Sequence, residues 1–213
     1  MECIRGKTSV EIDADGFIAR TAGYGGTLVD IGTGDGRYVL RAARTHPERF
    51  AVGVDANRDN LRKASRTAPP NALFVIANAL ALPGELNGLA SGITINFPWG
   101  SLLMGLLDGE SGLLEGLRAI ARPGASLKVT LNAGALAEAG HTLDSGGARV
   151  RRALRGGGFD VYTPLRLGAP ELRRCHTTWA KRLAYGRDPR AVSLGAMLGS
   201  RQPSAATQDR VVL

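Results

Sequence analysis

Asp30, Gly32, Gly34 and Gly36 stand at alternate positions in Thr27-Leu28-Val29-Asp30-Ile31-Gly32-Thr33-Gly34-Asp35-Gly36. Glycine takes φ > 0 and approaches a ligand without a Cβ clash, so the spacing describes a binding turn. A dinucleotide turn reads G-x-G-x-x-G and sets a pyrophosphate on a helix N-terminus. Here the third glycine comes one residue early, and Asp30 stands two residues before the first. A carboxylate there suits a cationic amino-acid moiety and would repel a pyrophosphate. A second acid, Asp55, follows the glycines by about 20 residues, where it is placed to accept from both ribose hydroxyls of a nucleoside. A third group is Trp99, in Asn96-Phe97-Pro98-Trp99-Gly100-Ser101, placed to offer a stacking face. Blander readings stand beside these: an ordinary glycine-rich turn, and a tryptophan packed under a loop.

These residues need elements to position them. Thr27 to Asp30 reads as a short buried strand, and Arg37 to Arg44 as a helix with an apolar stripe. Phe50 to Val54 is a second strand closed by Asp55. Asn57 caps a helix that ends before Pro69-Pro70. Ala72 to Ala77 is a third strand, Gly92 to Asn96 a fourth and Ser126 to Asn132 a fifth. A helix over 111–121 is stopped by Pro123-Gly124. Strands alternating with helices give a parallel sheet wound on both faces. Trp99 then follows the fourth strand at its carboxyl end, where ligands of open α/β sheets bind.

The pattern D-x-G-x-G-x-G, with Asp55 closing the next strand, resembles class I S-adenosylmethionine-dependent methyltransferases. That resemblance implies a Rossmann-like seven-stranded, mostly parallel sheet with helices on both faces and one antiparallel strand. It implies S-adenosylmethionine as cofactor, with S-adenosylhomocysteine as product. Its site would use Asp30, Gly32, Thr33, Gly34 and Gly36, then Asp55 and Ala56, then Asn78 where adenine packs, then Asn96. Residues 145–155 read as a basic helix, and 159–165 and 191–198 as the last two strands. A single domain over 1–201 is expected, with an N-terminal β-hairpin over 1–13, a basic inter-strand linker over 167–190 and a loose tail over 202–213.

Composition bounds the class. At 213 residues, 44% hydrophobic and 22% charged, the chain is sized for one α/β domain with a good core. No apolar run approaches the ~18 residues of a membrane span, and no signal-peptide core is visible at the N-terminus. Two cysteines make no disulfide framework, and three scattered histidines have no metal-ligand spacing. A cytoplasmic, metal-free protein is expected. Net charge is +8 and uneven: Arg149 to the end holds 13 basic and 4 acidic residues, and the chain before it 14 and 15. Such asymmetry suggests a polyanion held by the C-terminal third, or simply arginine richness.

Two readings of the tryptophan loop compete. Asn96-Phe97-Pro98-Trp99 resembles the N-P-P-[YFW] motif of methyltransferases acting on exocyclic amino nitrogens, but Phe97 replaces its first proline. The longer string F-P-W-G-S-L-L, with T-W-A-K-R-L over Thr178 to Leu183, R-P-G-A from Arg122 and V-D-I-G-T-G-D-G from Val29, more closely resembles the 16S rRNA (adenine(1408)-N(1))-methyltransferases of aminoglycoside resistance. That resemblance covers most of the chain. It implies that Ala77, Ser101 and Thr177 join the cofactor site. It implies that Trp99 and Trp179 stack and position a flipped adenine with no general base. Lys181 and Arg182 would face rRNA, with Arg149, Arg152 and Arg187 from the same basic third. The partner would be helix 44 of the assembled 30S subunit, met by a monomer with no membrane. One departure is Leu80, where relatives often carry an acid near the adenine pocket. Other classes left open are a nicotinamide oxidoreductase, against the glycine spacing, and a non-catalytic RNA-binding protein.

Overall fold

A computed structural model describes residues 1–175, 177–186 and 188–199. The chain opens with β1 (Glu2–Arg5), β2 (Thr8–Glu11), α1 (Ala14–Thr21) and β3 (Thr27–Ile31), and continues through α2 (Arg37–Thr45), β4 (Phe50–Asp55), α3 (Arg58–Arg66) and β5 (Ala72–Ile76). Next come β6 (Ala90–Asn96), α4 (Gly100–Asp108), α5 (Ser111–Ile120), β7 (Ala121–Asn132), α6 (Ala133–Glu138) and α7 (Leu143–Gly156). The last elements are β8 (Phe159–Val161), β9 (Leu165–Leu167), α8 (Ala169–Arg174), α9 (Thr178–Ala184) and β10 (Ala191–Leu198).

Among the described residues, one sheet takes in all ten strands, in the order β2-β1-β5-β4-β3-β6-β7-β10-β8, with β9 also on β10. The seven expected strands are β5-β4-β3-β6-β7-β10-β8, in which only β10 runs against its neighbours. The hairpin extends this sheet, since β1 pairs antiparallel with β5. The chain reverses its march across the sheet between β3 and β6, which opens a crevice at their carboxyl ends.

Period-two alternation explains the two layers. Phe50, Val52 and Val54 of β4, with Leu73 and Val75 of β5, enter one core with α1, α4, α5 and α7. Ala51, Ala72 and Phe74 point the other way, onto Val39 and Ala43 of α2 and Leu61 and Ala64 of α3. Asn57 caps α3 as expected, accepting from the Asp59 N–H at 2.9 Å.

Several expectations are corrected. The strand over 159–165 is two strands, because Pro164 lacks an N–H and the ladder breaks before it. Strand β7 starts at Ala121 rather than Ser126 and runs through Pro123-Gly124. Its register against β6 jumps from Ala90↔Ala121 to Gly92↔Ser126, so the proline lies where no ladder bond is lost. Helix α6 follows β7 directly, α4 begins after the three residues 97–99 that follow β6, and neither was anticipated. The segment 167–190 carries two helices, α8 and α9, because Leu172, Ala180 and Ala184 bury against Phe97 and Ala191. The tail over 202–213 and Arg187 lie outside the described residues.

The glycine turn divides its labour. A Cβ at Gly36 (φ 68°) would meet Ala64 Cβ and Phe74 Cε1 at 2.6 Å, whereas one at Gly34 (φ 56°) would meet nothing within 4 Å. Gly36→Ala should therefore destabilise the fold by about 2–5 kcal/mol, combining left-handed strain with overpacking. Gly34→Ala should cost only the strain, about 1–2 kcal/mol. Urea unfolding of the two variants checks the order.

Candidate active site

The carboxylate of Asp30 ends β3 at the crevice, 2% exposed. Its Oδ1 accepts from Thr94 Oγ1 at 2.6 Å and from Asn96 Nδ2 at 2.9 Å, both on β6. These two bonds tie the strands together where the sheet changes direction. Burial pushes the Asp30 carboxyl up to about 6, against the Thr94 hydrogen bond, and the nearby Asp55 charge pushes the same way. The carboxylate of Asp55, at the end of β4, faces the glycine turn. Its Oδ2 accepts from the Gly34 N–H at 2.8 Å, and its Oδ1 from the Asn57 N–H at 2.9 Å.

Around these acids lies a cleft of about 460 Å³, within the usual range for small-molecule sites. Asp30, Gly32, Thr33 and Gly34 line it, with Asp55, Ala56, Ala77 and Asn78 on one side and Asn96 and Ser101 on the other. Thr177, Trp99 and Trp179 complete the wall, so these expected residues come together. Of the expected cofactor residues, Gly36 is not in the lining; it is a packing glycine under Phe74. Lys181 is exposed beside the cleft and outside its lining, whereas Arg182 lines it. Arg149 lies at the surface but is engaged by its own fold, donating to Leu107 O at 2.6 Å and pairing with Asp108 at 3.0 Å. Arg152 lines a separate surface cleft with Arg151, Arg155 and Arg166. Leu80 also lies outside the lining; its Cδ2 packs within 3.0 Å of the Cβ position of Gly105 on α4.

The tryptophan loop owes its shape to Phe97. Among the described residues it is the one non-glycine with positive φ, at 55°. Its side chain is 3% exposed, among Leu172, Ala180, Ala184 and Ala191. Gly100 turns left-handed again at φ 54°, so Pro98 and Trp99 project into the cleft wall. Trp99 and Trp179 are 38% and 42% exposed, which excludes a simple core role for either. Their ring centroids lie 5.8 Å apart with planes 33° from parallel, and the Arg182 guanidinium sits 5.5 Å over the Trp179 ring.

Sequence reasoning missed Asp35, Tyr38, Asn60 and Thr178, all of which line the cleft. Tyr38 follows the glycine turn by two residues, and that proximity was the available signal. Burial, and next the Asp30 charge, raise its phenol above the ordinary range.

The site fits the cofactor that the turn implies. Thr33 Oγ1 is buried with no hydrogen-bond partner among the described residues, Gly34 leaves open space, and the two carboxylates of the cleft are acceptors of the kind an ammonium and a ribose need. The fold and this site define a class I S-adenosylmethionine-dependent methyltransferase. The model of the family NpmA: 16S rRNA (adenine(1408)-N(1))-methyltransferase matches residues 2–198, and the chain belongs to that family. The 16S rRNA (adenine(1408)-N(1))-methyltransferase of Streptoalloteichus hindustanus is 32% identical over 208 residues, covering 88% of this chain and 94% of that one. A variant of the enzyme of the same description from Catenulisporales acidiphilia, solved with cosubstrate SAM, superposes with a TM-score of 0.83 at 26% identity, over 96% of this chain and 99% of the other. The aminoglycoside resistance methyltransferase NpmB1 does so at 0.78 and 32% identity, over 93% and 99%.

The raised Asp30 carboxyl gives a pH prediction. With its folded value above the ordinary 3.8, Asp30 favours the empty fold most below that value, and this contribution is lost as pH rises through about 6. A cationic ligand needs the ionised form, so the sign for binding is opposite. Affinity for S-adenosylmethionine should fall as pH drops below about 6, by about tenfold per pH unit for one proton. Calorimetric titration across that range checks it, and Asp30→Asn should flatten the dependence.

Proposed function

We propose that this chain methylates N1 of the decoding-site adenosine, the A1408 position, in helix 44 of 16S rRNA within the assembled 30S subunit. The observation that carries this reading is the pair of exposed indoles in the cleft wall, 5.8 Å apart. Two stacking contacts of about 3.5 Å each require faces about 7 Å apart, so a small parting and levelling of the rings would admit one base. Pairing in an RNA helix hides N1, so the adenosine must be extruded to reach the site.

When bound, the cofactor supplies an electrophilic methyl on a sulfonium. The chain's own residues bind, orient and exclude water. Asp30 would hold the ammonium, and Asp55, which holds the Gly34 amide, would accept from the ribose. Asn78 and Ala77 would border the adenine, and Ser101, Thr177 and Asn96 would flank the reacting end. N1 of adenine carries an in-plane lone pair and needs no base to attack; alignment supplies the acceleration. The product base is cationic, which indole faces accommodate. Docking falls to Lys181 and Arg182 beside the clamp, and to Arg152 in its arginine-lined cleft, through phosphate contacts. The enzyme acts as a monomer in the cytoplasm. The methylated base, cationic and blocked on its pairing edge, repels aminoglycoside ammonium groups and thereby gives resistance.

Nucleoside mass spectrometry of 16S rRNA after incubation of 30S subunits with enzyme and cofactor should find N1-methyladenosine, with a reverse-transcriptase stop at the decoding site. Recovery of the N6 isomer alone would overturn the reading. Trp99→Ala and Trp179→Ala should each lose most turnover while melting nearly as the parent does, because each stacking face is worth about 1–3 kcal/mol. Trp179→Phe should recover part of it. Early melting with normal turnover in Trp179→Ala would return that residue to a packing role. Charge reversal at Lys181 should weaken 30S binding and lower its salt slope by about one counterion, with cofactor affinity unchanged.

A further inference from the structure

We infer that Asp35 and Thr178 form a latch that positions Trp179 from the cofactor's own binding turn, so that cofactor occupancy and capture of the target base are coupled. The inference rests on the reading of the two tryptophans as a base clamp. Thr178 Oγ1 donates to Asp35 Oδ2 at 2.7 Å, a bond between residues 143 apart in sequence. Asp35 stands between Gly34 and Gly36, at the apex of the glycine turn. Thr178 is the first residue of α9, and its neighbour is Trp179. Both partners line the cleft.

The rest of α9 is held differently. Ala180 and Ala184 press onto Phe97 and Leu172 in a small apolar cluster. Methyl groups on an apolar surface resist separation but do little to fix rotation of a helix of 7 residues. Its amino end is half-buried, and Trp179 projects there 42% exposed. The directional side-chain bond that joins this end to another element is the one to Asp35. Asp35 is itself oriented: its Oδ1 accepts from the Arg37 N–H at 3.3 Å, and Arg37 Nε lies 3.5 Å from Oδ2. An ionised acceptor of fixed direction makes the stronger class of hydrogen bond.

The turn is also what the cofactor would touch. Gly34 donates to Asp55, so a ligand on Asp55 and Gly34 restrains Asp35 next door. Restraint passes through Thr178 to Trp179, which Arg182 backs at 5.5 Å. Trp99 stands on the opposite loop, fixed through Phe97. The clamp spacing is thus set from both sides, one of them through the cofactor turn. By linkage, the extruded base must tighten cofactor binding by the factor by which cofactor tightens base capture.

The chain has two tryptophans, and both are in the clamp, so indole emission reads its geometry directly. S-adenosylmethionine is titrated into the full chain and into Thr178→Val, Thr178→Ser and Asp35→Asn, with fluorescence, near-contact exciton circular dichroism and 30S methylation measured for each. In the parent, cofactor should change both optical signals. Thr178→Val, which keeps the shape and loses the hydroxyl, should abolish that change, leave cofactor Kd within about threefold and lower kcat/KM for 30S subunits by about tenfold. Thr178→Ser should restore the optical response and most of the rate, and Asp35→Asn, which keeps an acceptor, part of each. A Thr178→Val protein with parental optical response and rate overturns the latch. So does a Thr178→Ser protein as impaired as Thr178→Val, since the methyl rather than the hydroxyl would then matter. Failure of the clamp is separately visible: if Trp99→Ala and Trp179→Ala methylate normally, the clamp falls, whereas their inactivity beside a normal Thr178→Val removes the latch alone.

Discussion

The left-handed backbone at Phe97 is the constraint on which the mouth of the site depends. A non-glycine residue at φ 55° stores about 1–3 kcal/mol of strain. Burying a phenylalanine side chain returns about 1.5–3 kcal/mol, and the Phe97 N–H donates to the Thr130 carbonyl at 2.8 Å. The balance keeps the turn in place, and two consequences follow from one geometry. The Phe97 ring enters the cluster that carries α8 and α9, while the chain beyond it lifts Trp99 out of the core. A proline at this position would have neither the N–H nor the ring to do both. The residue that departs from the amino-methylating motif is therefore the one that joins the two halves of the cleft wall.

Charge organises the floor as conformation organises the mouth. Asp30 is buried between β3 and β6 with a hydroxyl and an amide as partners and no paired cation among the described residues. Asp55 adds a second negative charge at the end of the neighbouring strand β4. A dinucleotide phosphate would meet repulsion here, whereas a ligand with one cationic end and a ribose matches both acids. The glycines serve this arrangement unequally: Gly34 faces the open cleft and lends its amide to Asp55, and Gly36 lets α2 and the turn approach Phe74.

What the sequence revealed tracks how local each signal is. The glycine turn after β3, the acid that ends β4 and the boundaries of β10 rest on short-range patterns of residue type, and all three lie where those patterns put them, although Gly36 packs the fold instead of lining the cleft. The meeting of Trp99 with Trp179 was legible through two motif strings about eighty residues apart, since each keeps its own residues together. The single strand over 159–165 was misjudged because Pro164 breaks a ladder only where a neighbour demands its N–H. The helical nature of 167–190 was missed because its burial comes from Phe97 and Ala191, far away in sequence. Arg149 illustrates the limit of counting charge: its guanidinium closes the carboxyl end of α4, and nothing in its neighbours says so. The Asp35–Thr178 contact was invisible for the same reason, being a tertiary bond between two ordinary polar residues.

The sheet's two margins share a property that concerns the protein's company rather than its chemistry. At one side β2 offers 4 residues, with Thr8, Ser9 and Glu11 among them. At the other, β8 and β9 offer 3 residues each, parted by Pro164. Long, flat, apolar margins invite a stranger's backbone to continue the ladder, and short or interrupted ones do not. Among the described residues, a ten-stranded sheet built around the cleft of an rRNA-modifying enzyme thus ends on both flanks in stubs too brief to recruit another chain by strand addition.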